Sequence, residues 1–298
     1  MERLEWAGSG PFDLGLTLGC GQCFRWRLVD EGWFEVAHGV QFALVRQVGG
    51  PLDGHLEFVD DGSGQARHWL PRFLGLDEDY EEIYAKVVKN DPLLSHLLKA
   101  RPGLRILHQD PWEALVQFTL SSCSNVPRIT KNVADLALNH GSLVKTPWGE
   151  ANALPTPREL EGIGEGEFRR LGFGYRAKFL ANSVRILNAD PDYLDRLLSV
   201  PLKECLDALQ ELPGVGPKVA HCVALFGLDH HDAFPADVWI LRVVREHYAR
   251  DFREAFPGRP LNARWVAEWA RHRFEDAAGV AQEYLYVHAR DSNSGTGK

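Results

Sequence analysis

Leu212-Pro213-Gly214-Val215-Gly216-Pro217-Lys218-Val219-Ala220 is the stretch on which the reading of this 298-residue chain turns. A helix stops at Leu212, two glycines two apart make a tight turn, and Pro217 suits the first turn of a second helix. Glycine removes the steric cost of unusual backbone angles and of close backbone approach. The turn therefore points several amide N–H groups outward at a helix N-terminus, a seat for a phosphate that the helix dipole reinforces. Such a seat grips a polymer backbone without reading bases. The plain alternative is a glycine-capped connection between two helices, and the glycines alone do not separate the two.

Lys218 does more to separate them. It sits in the first turn of the second helix, beside Val219, Ala220, Val223, Ala224 and Leu225. An apolar setting and a helix N-terminus both disfavour the ammonium form, and a neutral amine is the nucleophile of Schiff-base chemistry. Nineteen residues on, Ala236-Asp237-Val238-Trp239 follows Pro235 and precedes a helical run. Asp237 suits a helix N-cap, and it suits equally a carboxylate reaching back into a cleft beside the amine.

Outward from the hairpin, nearly everything after Asp110-Pro111 reads helical. Segments are expected over 127–139, 157–162, 165–171, 175–188, 191–198, 201–210, 216–227, 237–247, 261–274 and 279–290. The first third reads as strands instead. Residues 24–28, 33–36, 42–48 and 56–59 are short, rich in aromatic and β-branched side chains, and separated by turn chemistry such as Gly49-Gly50-Pro51 and Asp60-Asp61-Gly62-Ser63-Gly64. From about Arg67 the period lengthens to that of helices. The fold class expected is α+β: an N-terminal antiparallel β-sheet domain with trailing helices over 1–105, an all-helical domain over 106–291, and a disordered tail over 292–298.

Composition narrows the function classes. With 45% hydrophobic and 25% charged residues the chain can bury a sizeable core, and nine Trp, fifteen Phe and seven Tyr argue against a disordered acidic chain. The longest apolar runs, 114–120 and 222–228, fall far short of the ~20 residues that span a bilayer. MERLEWAGSG has no apolar core, so no signal peptide and no membrane partner are expected. Five cysteines in no framework spacing suggest reduced thiols in the cytoplasm. Cys20 and Cys23 form a C-x-x-C, but no second pair completes a tetrad, so no metal is expected. A net charge of −8 argues mildly against nucleic acid, unless a cluster such as Arg169, Arg170, Arg176, Lys178 and Arg185 makes a basic face.

Together the hairpin, Lys218 and Asp237 resemble the helix-hairpin-helix DNA glycosylase superfamily, whose bifunctional members carry lysine at this place. Gly21-Gln22-Cys23-Phe24-Arg25-Trp26 resembles the GQ-x-FRW signature of the 8-oxoguanine DNA glycosylase/AP lyase family. Gln109-Asp110-Pro111-Trp112-Glu113, Gly172-Phe173-Gly174-Tyr175-Arg176-Ala177 and Ala281-Gln282-Glu283-Tyr284-Leu285-Tyr286 are similar to further blocks of that family in the same order. The resemblance spans roughly residues 11–290. Iron–sulfur relatives need four closely spaced cysteines after the aspartate, and none follows Asp237.

The resemblance implies a helix-hairpin-helix glycosylase domain and a bifunctional enzyme that removes 8-oxoguanine from duplex DNA by a lysine Schiff base and β-elimination. Lys218 would attack C1′ and Asp237 would stabilise the developing positive charge. Gly21 would offer its carbonyl to the N7–H that distinguishes the lesion from guanine, Gln282 would bind the pairing edge, and Cys222 and Tyr286 would sandwich the flipped base. Asn125, Arg128, Tyr175 and Arg176, with the hairpin residues Gly214, Val215 and Gly216, would contact DNA. No cofactor is implied; the partner is double-stranded DNA containing an oxidised purine, met by a monomer in the cytoplasm, or in the nucleus of a eukaryote. Cys123 falls where characterised eukaryotic members carry Asn, Trp239 where those members often carry His, and Tyr286 where Phe is more usual. A glycosylase for another oxidised or alkylated purine is the nearest alternative; a non-catalytic damaged-DNA-binding module would need neither Lys218 nor Asp237.

Overall fold

Val36, Ala43, Val45, Leu56 and Phe58 are each at most 1% exposed and share one face of a sheet. This is what period-2 patterning on a half-buried surface produces. The computed structural model describes residues 1–5, 9–30 and 32–294. Its strands β1 (Glu2–Leu4), β2 (Trp26–Asp30), β3 (Trp33–His38), β4 (Gln41–Val48) and β5 (His55–Asp60) form one antiparallel sheet in the order β1-β5-β4-β3-β2. The helices Leu14–Gly19, capped by Asp13, and Ala66–Phe73 close its buried face through Leu14, Leu18, Leu70 and Phe73.

The rest of the described chain is helical, apart from one two-stranded hairpin. The helices Tyr80–Val88 and Pro92–Ala100 follow the sheet in sequence but pack on Ala278–Ser294, at the other end of the chain, and share its core. The division at about residue 105 is therefore one of chain order. Between the halves run Pro111–Ser121 and Pro217–Gly227, packed on each other and apolar nearly all round, as buried helices are.

Three sequence expectations change here. Residues 157–162 form turns rather than a helix: Thr156 and Glu159 bond reciprocally as a helix start would, but Gly162 then takes the left-handed region at φ 81°. The helical half contains the hairpin β6 (Leu143–Thr146) and β7 (Gly149–Asn152), and an additional helix, Ala249–Ala255. The last helix continues to Ser294, so the anticipated tail over 292–298 is helical at its start; residues 295–298 lie outside the described residues.

The Gly21–Trp26 block stitches the halves together. Gln22 donates to the Arg105 carbonyl at 2.8 Å and accepts from Leu107 N at 2.8 Å, while its own carbonyl takes the Gln109 amide at 2.6 Å. Arg25 forms a buried ion pair with Glu113 and donates to the carbonyls of Gly39 and Asn152. A buried charge persists only when paired and hydrogen-bonded, and this one is. No helix among the described residues is long and apolar enough to cross a membrane.

Candidate active site

Five separate stretches meet around one cavity of about 320 Å³, at the lower end of the usual range for ligand pockets. Gly21, Lys218, Cys222, Gln282, Tyr286 and Asn125 all line it, with Phe24, Phe118, Ile129 and Phe226 as apolar walls. Phe118 and Phe226 stack at 5.2 Å between ring centres, which holds the two central helices in register behind the site.

Lys218 enters from the first turn of Pro217–Gly227. Its stem lies against Phe118, with Nζ 5.3 Å from the ring centre, and Nζ donates to Ser121 Oγ at 3.3 Å. One turn further on, Cys222 faces the same space; burial pushes its thiol up to about 11, so it is a neutral wall. In the hairpin before the lysine, Val215 N donates to the Leu212 carbonyl at 3.1 Å. Gly214 holds φ 83°, and a β-carbon there would sit 2.3 Å from Phe179 Cδ2. Gly216, by contrast, has open space around it and serves as N-cap.

Asp237 is the N-cap of Val238–His247, its Oδ1 accepting from both Trp239 N and Ile240 N at 2.9 Å. Both cap bonds use the same oxygen. Its charge also acts on Cys222, Glu283 and Tyr286, all of which face the cavity. Its neighbours Pro235 and Trp239 line the cavity, whereas Asp237 is not among the lining residues and reaches the site through its charge.

Opposite the lysine, Gln282 is 3% exposed and its Oε1 has no hydrogen-bond partner. A buried acceptor left unpaired costs about 1–3 kcal/mol; a donor brought into the cavity recovers that cost. Gly21 takes φ 112°, and a β-carbon there would lie 3.5 Å from the Tyr286 ring, narrowing the space between that backbone and the ring. Arg290 donates to the carbonyls of Gly19 and Cys20 and so fixes the loop that presents Gly21.

Glu283 was not singled out by sequence reasoning as a site residue. It lines the cavity at 4% exposure, and burial raises its carboxyl to about 7. The available signal was a carboxylate directly beside Gln282 in a stretch whose other residues are Ala, Leu and Tyr.

Tyr175, Arg176 and Arg128 are not among the lining residues; the first two meet the turn at 122–123, between the lining residues Ser121 and Ser124. Tyr175 is 45% exposed, and its hydroxyl donates to the Ser122 carbonyl at 3.0 Å. Arg176 lies beneath that ring and is buried, with Nε on Ser122 O at 2.8 Å and Nη2 on Cys123 O at 2.9 Å. Arg176 thus clamps the 122–123 turn, while Arg128 is exposed. Asn125 caps Val126–His140 by accepting from Arg128 N at 3.0 Å. Cys123 is exposed in the left-handed region at φ 49°, where Asn is favoured over most side chains.

The family model for the 8-oxoguanine DNA glycosylase N-terminal domain matches residues 7–115. The chain is 35% identical to N-glycosylase/DNA lyase OGG1 of Arabidopsis thaliana, over 92% of this chain and 76% of that protein. It is 31% identical to a probable N-glycosylase/DNA lyase of Methanothermobacter thermautotrophicus, over 95% of each chain. Among solved structures it resembles the Clostridium acetobutylicum 8-oxoguanine glycosylase/lyase in complex with double-stranded DNA containing cytosine opposite 8-oxoG. There the TM-score is 0.84 and the identity 28%, covering 95% of this chain and 93% of that one.

Proposed function

The chain belongs to the 8-oxoguanine DNA glycosylase/lyase family, and on that premise we propose that it excises 8-oxoguanine from duplex DNA and then cleaves the strand. The observation that carries this reading is the unpaired Gln282 oxygen in a cavity shared with Lys218. The pairing edge of 8-oxoguanine, like that of guanine, offers N1–H and N2–H₂ donors to that oxygen, and the lesion's N7–H, which guanine lacks, is left to the Gly21 carbonyl.

The roles follow from position. The duplex is gripped at the Gly214–Gly216 turn, the lesion is flipped into the cavity, and the base lies between Cys222 and Tyr286 with its N7–H toward the Gly21 carbonyl. The Lys218 amine attacks C1′ as the C1′–N9 bond breaks, the base leaving with the bonding electrons and then taking a proton. Asp237 stabilises the positive charge that develops on the sugar, a contribution on the order of 3–4 kcal/mol for one well-placed group. The attached nitrogen loses a proton, the C1′–O4′ bond opens with O4′ taking a proton, and the Schiff base so formed acidifies C2′–H, whose loss expels the 3′ phosphate. The protein acts as a monomer associated with DNA.

An incision assay on duplexes with 8-oxoguanine opposite each of the four bases tests the proposal. Cleavage 3′ to the lesion is expected, fastest opposite cytosine. Cys123→Asn should widen that preference several-fold, since an amide offers a hydrogen bond worth about 0.5–1.5 kcal/mol that a thiol does not. Intact 8-oxoguanine duplexes alongside incised duplexes bearing another damaged purine would overturn the assignment.

A further inference from the structure

Away from the cavity, three segments distant in sequence bring Glu78, His108 and His231 together. Glu78 precedes the helix Tyr80–Val88, His108 lies in the extended connection before Pro111–Ser121, and His231 lies in the turn after Pro217–Gly227. Glu78 Oε1 is 3.2 Å from His108 Nε2 and 3.6 Å from His231 Nε2, and one donor atom from each residue falls within 4.8 Å of the other two. Tetrahedral zinc, with bonds of about 2.0–2.2 Å to nitrogen and oxygen, sets its ligand atoms roughly 3.3–3.5 Å apart.

Two independent observations point to a ligand at that centre. His108 Nε2 and Glu78 Oε2 are buried without a hydrogen-bond partner, even though Nε2 lies so near the carboxylate. On the other edge of the ring, His108 Nδ1 is 2.6 Å from Asp229 Oδ1, and the second oxygen of Asp229 accepts from Arg72 at 2.8 Å. A carboxylate on Nδ1 is the arrangement that orients a ligating imidazole and leaves the Nε2 lone pair for the metal. His231, 22% exposed, stands at the edge of an open cavity that gives an ion and a water ligand their approach.

We propose that Glu78, His108 and His231 form a site for a divalent transition metal of the zinc class, which ties the turn after the sheet domain to the central helical pair. Two imidazoles and one carboxylate suit zinc and its neighbours rather than magnesium or calcium. The competing use of these groups is an ion-pair network, because Arg72 Nη1 also lies 3.3 Å from Glu78 Oε1.

The test uses the untagged full chain, stripped with chelator and titrated with Co²⁺ and then Zn²⁺. One equivalent of Co²⁺ should bind with visible d–d absorption and be displaced by Zn²⁺, and zinc should raise Tm by several degrees. His231→Ala, at a partly exposed position, and Glu78→Gln should each weaken binding at least about tenfold and abolish the Tm shift. Absence of saturable one-equivalent binding at micromolar metal, or parent-like binding by both variants, would overturn the site and leave an ion-pair network only.

Discussion

Asp237 commits one carboxylate oxygen to two backbone amides, and its charge also acts on Cys222, Glu283 and Tyr286 in the cavity wall. Asparagine can keep those cap bonds while removing the charge. Asp237→Asn should therefore leave Tm nearly unchanged and slow single-turnover base release by about 10²–10³; lost stability with activity retained would mean that the residue only caps. Glu283 carries the clearest pH signature. Burial raises its carboxyl from the ordinary 4.5 to about 7, so between these values the folded chain holds a proton that the unfolded chain has released. The stabilisation is fully present below about 4.5 and is lost as pH rises through 7, a change of order 3 kcal/mol. Glu283→Gln should flatten the fall in Tm over that window, and a slope equal to the parent's would show that another group titrates. Lys218 and Asp237 were legible in the sequence because a turn and a cap leave local signatures. Glu283 was not, because its burial comes from elements far from it in the chain.

At the scale of elements, the hairpin was readable and its steric reason now has a partner. Gly214→Ala meets both a left-handed φ of 83° and the Phe179 ring. It should cost about 1–3 kcal/mol in denaturant unfolding and weaken duplex binding, whereas Gly216→Ala, with open space, should fold nearly as the parent does. Equal stability losses at the two glycines would contradict this account of the turn. Strands β3 to β5 were legible from alternation, and the helices with caps from theirs. The hairpin β6–β7 was not: Leu143 and Lys145 point outward, and what holds it is tertiary. Trp148 donates to Glu35 on β3 at 2.7 Å, and Ala151 and Ala153 pack on Ala37 and Phe42. At 157–162 the local start signal was real, but the left-handed Gly162 ended the turn before a helix formed.

Across the whole molecule, the order of the short blocks acquires a physical meaning. Gln22 and Arg25 join the sheet domain to the connection at 105–109 and to the helix Pro111–Ser121, so that Gly21 faces Lys218, Gln282 and Tyr286 across one cavity. Sequence supplied the blocks and their roles by resemblance; the orphaned Gln282 oxygen, the clamp of Arg176 on the 122–123 turn and the Glu78, His108 and His231 cluster exist only in three dimensions. The central claim is that this assembly delivers the Lys218 amine to the sugar of the flipped lesion. Borohydride reduction during reaction with an 8-oxoguanine duplex tests it most directly. The parent should give one covalent protein–DNA adduct mapping to Lys218, and Lys218→Gln should bind the lesion duplex but yield none; undiminished trapping in that variant would contradict the account.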